Sequence, residues 1–76
     1  MPSVLEQKFK ITFTVPKKHE RAVQKYLEEN VGGRTYFLRS RVGGKHWAID
    51  RDFHSNNINI SLNDESLASF ITLKYV

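Results

Sequence analysis

Three histidines, His19, His46 and His54, are the side chains best suited to acid–base or metal chemistry near neutral pH. Their spacing argues against a metal. There is no His-x-x-x-His or Glu-x-x-His pattern, and the chain has no cysteine to supply a thiolate. His46 stands four residues before Asp50, which is about 13 Å along a strand and too far for one ion to hold both. None of Ser40, Ser55, Ser61, Ser66 and Ser69 lies in a Gly-x-Ser-x-Gly elbow, and no glycine-rich loop matches a nucleotide fingerprint. The expectation is a protein without catalytic residues, metal or cofactor. The one enzymatic alternative is a metal-independent ribonuclease, with His46 as general acid–base and Arg39 and Arg41 on the phosphate.

Binding chemistry is better represented. Twelve Lys and Arg face eight Asp and Glu, for a net charge of +4. The excess is uneven: residues 1–51 carry eleven basic and five acidic side chains, whereas residues 52–76 carry one and three. Five Phe, three Tyr and one Trp accompany that charge. Cations interleaved with aromatic rings are what single-stranded nucleic acid requires, charges for phosphates and flat faces for bases. The same charge also suits an acidic protein partner.

The elements that must position these groups follow from periodicity. Lys8 to Val15 alternates, with Phe9, Ile11, Phe13 and Val15 on one side and Lys8, Lys10, Thr12 and Thr14 on the other, which predicts a half-buried strand. Pro16 ends it. Ala22, Val23, Tyr26, Leu27 and Val31 form a helical stripe over Lys17–Val31 that Gly32-Gly33 closes. Lys17, Lys18, Arg21 and Lys25 lie on the exposed side of that helix, and its free N-terminal N–H groups with Lys17 and Lys18 would make an anion site. His19 is expected to pack or cap rather than bind.

Two strands over residues 34–41 and 45–53 are expected to join through a Gly43-Gly44 turn. That register sends Tyr36, Leu38, Val42, Trp47, Ile49 and Phe53 to the core, and Phe37, Arg39, Arg41, His46, Asp50 and Asp52 to the other face. Ser55-Asn56-Asn57 is a turn, and Ile58, Ile60 and Leu62 mark a further strand. Asn63 caps a helix beginning Asp64-Glu65-Ser66, followed by Leu67, Phe70 and Ile71.

A single 76-residue domain results, one that buries roughly 60% of its unfolded surface. It is α+β: a two-layer sandwich of an antiparallel sheet with helices on one face, in the order β-α-β-β-β-α. The alternative is a ferredoxin-like arrangement with a short second helix and a last strand, because residues 70–76 also favour β structure. No apolar run approaches the ~18 residues of a membrane span, and the N-terminus does not read as a signal peptide, so a cytoplasmic protein is expected. The open sheet face, with Lys8, Lys10, Phe37, Arg39, Arg41 and His46, is the expected working surface. The helix cations Lys17, Lys18 and Arg21 form a second. An uncovered sheet edge or face would also let two copies pair.

The C-terminal run Asp64-Glu65-Ser66-Leu67-Ala68-Ser69-Phe70-Ile71-Thr72-Leu73-Lys74-Tyr75 resembles the ending of many small tailed-phage proteins: an acidic turn, Ala-x-Phe, a leucine, a basic residue and an aromatic. It is one residue longer than the commonest spacing. The resemblance covers about a sixth of the chain and transfers no catalytic residue. It implies a phage accessory protein acting in the host cytoplasm. The lead partner is then RNA or single-stranded DNA, and the rival is an acidic host protein of defence or gene expression that the chain would inhibit.

Overall fold

The structure, a computed structural model, describes residues 9–75. Strand β1 (Ile11–Pro16) passes through a 3-10 turn (Lys17–His19) into helix α1 (Glu20–Asn30). Strands β2 (Arg34–Phe37), β3 (Arg41–Gly44), β4 (Trp47–Arg51) and β5 (Asn57–Leu62) follow, and helix α2 (Glu65–Lys74) closes the chain. The five strands form one antiparallel sheet in the order β1-β5-β4-β3-β2. The protein is α+β, with one strand more than the sequence predicts. The C-terminal segment is a helix through Lys74, so the ferredoxin-like alternative with a last strand does not hold.

The extra strand arises because residues 34–41 do not run straight. Leu38 and Arg41 exchange backbone hydrogen bonds around Arg39 and Ser40, which makes a tight hairpin there. Gly43 and Gly44 are therefore not a turn; both lie in β3 and are buried. The next reversal falls at Lys45 and His46. The glycines are needed because neighbours come too close for any side chain. A Cβ on Gly43 would sit 2.5 Å from Tyr36 Oη, and one on Gly44 would sit 2.5 Å from Trp47 Nε1 and 2.7 Å from the Gly33 carbonyl oxygen.

Opposed residues share a face, so the register sorts the side chains into rows. Toward the helices run Ile11, Leu62 and Trp47, and then Phe13, Ile60, Ile49, Val42 and Phe37. Val23 and Leu27 of α1 and Ala68 and Ile71 of α2 pack on them, four residues and three residues apart as a helical face demands. Ala22, placed on the apolar stripe by its spacing, is exposed. Trp47 is fully buried and donates its indole N–H to the Gly32 carbonyl at 2.7 Å. The cap of α2 is Asp64 rather than Asn63: its Oδ1 accepts from the N–H groups of Ser66 and Leu67 at 2.9 and 3.2 Å. Asn63 instead accepts from the Lys10 N–H at 3.1 Å, tying the entry of β1 to the end of β5.

Because the Gly44 clash includes a backbone oxygen, Gly44→Ala should cost about 1–3 kcal/mol of stability. Gly33→Ala, where an added Cβ meets nothing within 4 Å, should change it far less. Urea unfolding of the two variants side by side checks this, and equal midpoints would mean that β3 is not pinned by Trp47.

Candidate functional site

The face of the sheet turned away from the helices is not the basic surface the sequence predicts. Its rows are Thr12, Ser61, Ala48, Gly43 and Tyr36, then Thr14, Asn59, Asp50 and Arg41, and last Pro16 and Asn57. Only Arg41 brings a positive charge into these rows, and it is already engaged. Its side chain is 16% exposed, lies 3.6 Å from Asp50 and donates from Nε to Tyr36 Oη at 3.0 Å.

The other predicted residues are distributed as follows. Phe37 lies on the helix side, opposite Val42. The cause is a β-bulge between Arg34 and Tyr36: the register gains one residue there, which sends Tyr36 to the open face and Phe37 to the helix face. Arg39 is in the β2–β3 turn, and His46 is exposed in the β3–β4 turn at the opposite end of β3. The constellation His46, Arg39 and Arg41 is therefore not brought together, which removes the geometric basis for the ribonuclease alternative. Lys10 is exposed at the entry of β1. Lys8 lies outside the described residues. Lys17 and Lys18 occupy the 3-10 turn, but the Lys17 N–H donates to the Asn56 carbonyl at 2.7 Å, so the expected anion site loses that donor. Tyr36 is half-buried, and Leu38 and Phe53 are exposed, where the sequence places all three in the core.

What the fold does assemble is a cationic and aromatic corner at the end of the sheet where β1, β2 and β4 finish. Phe37 and Phe53 are each 57% exposed. The Arg34 and Arg51 guanidinium groups lie 5.4 and 5.0 Å from the centre of the Phe37 ring. Lys17 Nζ and the Arg39 guanidinium each lie 5.9 Å from the centre of Phe53. Such distances are those of cation–π pairs, which hold rings and charges in fixed relation. Beside Phe37 a depression of about 360 Å³ is lined by Glu20, Arg21, Gln24, Lys25, Glu28 and Arg51, so α1 adds two further cations.

Arg51 holds this corner together. Its side chain is 14% exposed and donates from Nε to Glu20 Oε1 at 2.9 Å. From Nη1 it reaches the carbonyls of Leu38 and Arg39 at 3.5 and 3.4 Å, while its own N–H donates to the Ser40 carbonyl. One guanidinium thus fastens the start of α1, the β2–β3 turn and the Phe37 ring. The loop bearing Phe53 is braced separately, since Asp52 accepts from the His54 N–H at 2.9 Å and Ser55 Oγ from the Asn57 N–H at 3.1 Å.

Sequence reasoning missed Arg34, Arg51 and Phe53 as parts of a surface. One available signal was the polar run Asp52-Phe53-His54-Ser55-Asn56-Asn57, whose turn formers place Phe53 in a loop rather than a strand. The bulge that turns Phe37 has no comparable signature. Among the described residues no cluster of three metal-ligating side chains occurs, and no helix is long and apolar enough to cross a membrane. Comparison with family models, curated proteins and solved structures finds no match, so fold and geometry carry the functional reading.

Removing Arg51 strands Glu20, whose side chain is only 20% exposed. Arg51→Met should therefore destabilise the protein by about 2 kcal/mol. A double-mutant cycle with Glu20→Gln should return a coupling of at least ~1 kcal/mol. Additive effects would show that the two side chains merely lie close.

Proposed function

We propose that this protein is a small non-catalytic module that binds RNA or single-stranded DNA through the Phe37–Phe53 corner, as an accessory protein of the tailed-phage type acting in the host cytoplasm. The observation that carries the reading is the pair of exposed phenylalanines, each bracketed by two cations. A free base stacks on a ring, and the flanking Arg and Lys neutralise the phosphates on either side. Duplex is a poor fit, because its bases are already stacked and offer a protruding ring nothing to cover. The working surface is thus moved from the open face, where Arg41 is neutralised by Asp50, to the corner where Lys17, Arg34 and Arg39 are exposed.

Fluorescence anisotropy with labelled single-stranded RNA, single-stranded DNA and duplex at two salt concentrations tests this. Single strands should bind at micromolar concentration, with affinity falling steeply as salt rises. Each of Phe37→Ala and Phe53→Ala should weaken binding by about 1–3 kcal/mol with little change in salt dependence. Arg39→Ala and Lys17→Ala should each lower the salt slope by about one, and Arg41→Ala should leave binding unchanged. Absence of binding at low salt would overturn the proposal. Capture of an acidic host protein that survives moderate salt and fails on Phe37→Ala would then favour the inhibitor reading.

A further inference from the structure

The two edges of the sheet are built differently. Strand β2 is four residues long, interrupted by its bulge and opened by a charged residue, Arg34, features that discourage another strand from adding. Strand β1 has no bulge, and its flanking cations, Lys10 and Lys17, lie outside it. It runs unbroken over six residues, carries no charged side chain from Ile11 to Pro16, and among the described residues no strand pairs with its outer side.

The hydrogen-bonding groups on that side can be assigned. Lys17 N–H bonds to the Asn56 carbonyl, directly opposite it in the β1–β5 register. Bonded pairs therefore fall at Val15, Phe13 and Ile11, and the N–H and C=O groups of Thr12 and Thr14 face away from β5. Pro16 occupies the next outward position, where its missing N–H costs the ladder nothing. Alongside lies a groove of about 550 Å³ lined by Ile11, Phe13, Glu65, Ser69, Thr72 and Leu73. Leu73, on α2, is 79% exposed, the most of any large apolar side chain among the described residues.

We infer that β1 pairs antiparallel with β1 of a second copy of this chain, giving a two-fold dimer with a continuous ten-stranded sheet. Setting Thr12 opposite Thr14 of the other copy satisfies all the outward groups of both residues, with four backbone hydrogen bonds between the chains. The same register brings the two Phe13 residues together at the axis and sets Ile11 against Val15. A second copy is favoured over an extended segment of another protein on two grounds. Among the described residues only the β1 edge is both unpaired and regular, so self-pairing closes after a single step and does not propagate into a fibre. The edge is also complementary to itself: in this register Ile11, Phe13 and Val15 meet apolar side chains, no charged side chain lies between Ile11 and Pro16, and Lys10 and Lys17 fall at the ends of the seam.

Sedimentation equilibrium of the full chain tests this. The expected result is a monomer–dimer equilibrium in which Thr14→Pro, which removes an outward N–H, and Leu73→Glu each raise the dissociation constant at least about tenfold. Circular dichroism and urea unfolding establish that each variant is folded, and Leu73→Glu, at a solvent-exposed helix position, serves if Thr14→Pro is not. Phe37→Ala should leave the equilibrium unchanged. A chain that stays monomeric up to about 1 mM, or a dimer indifferent to both edge substitutions, would overturn the inference. Binding of single-stranded nucleic acid is read separately, so either proposal can fail alone.

Discussion

The packing of Trp47 against Gly44 is the constraint from which the rest of the architecture follows. The indole is fully buried and stands where a Cβ on Gly44 would be. Its N–H is bound to the Gly32 carbonyl just beyond α1. One side chain thus fixes the end of the helix, the start of β2 and the pairing of β3 with β4. Burial of an indole removes about 200 Å² from water, worth about 5 kcal/mol at most by area. The consequence for register is larger than that figure implies. A slip of one residue would turn Val42 out with its row, bring Arg41 to the helix side and separate Arg51 from Glu20.

From that register comes the division of labour between the two faces. The open face uses small residues at its centre, Ala48, Ser61 and Gly43, all buried although no helix lies on them. Its only arginine is held by a carboxylate and a tyrosine hydroxyl. Groups already paired in this way offer little to a ligand, because a partner must first break what it replaces. At the Phe37–Phe53 corner the opposite holds. Lys17, Arg34 and Arg39 lean on exposed rings rather than on acids, and a cation–π contact leaves most of the guanidinium or ammonium surface free for phosphate. Arg51 is the exception, and its pairing with Glu20 serves to position the others.

The legible parts of the sequence were those governed by a single period. β1, the apolar stripe of α1 at Val23 and Leu27, and the alternation of Ile58, Ile60 and Leu62 read directly, because each element buries one face and nothing interrupts it. The region from Arg34 to Gly44 did not. Gly43-Gly44 carries the composition of a turn, yet those glycines answer a steric demand made by Tyr36 and Trp47, residues whose approach is tertiary. The true turn at Arg39 and Ser40 has no glycine or proline to announce it. The chemistry was legible in kind but not in place: cations interleaved with aromatics were visible, and the face they occupy depended on one inserted residue.

That inserted residue also links the two ends of the molecule. Without the bulge, Arg34 opposite Gly44 would set Phe37 opposite Arg41, on the open face beside the Asp50 ion pair. With it, Phe37 faces Val42 and reaches Arg51 and the cations of α1. A bulge also bends a strand and breaks the even spacing of its outward N–H and C=O groups, which is how an edge resists pairing. The irregularity that turns Phe37 to the basic corner thus closes the β2 edge, while regular β1 leaves its edge available. The chain sets a surface suited to charge at one end of the sheet and one suited to backbone pairing along β1, and Lys17 adjoins both.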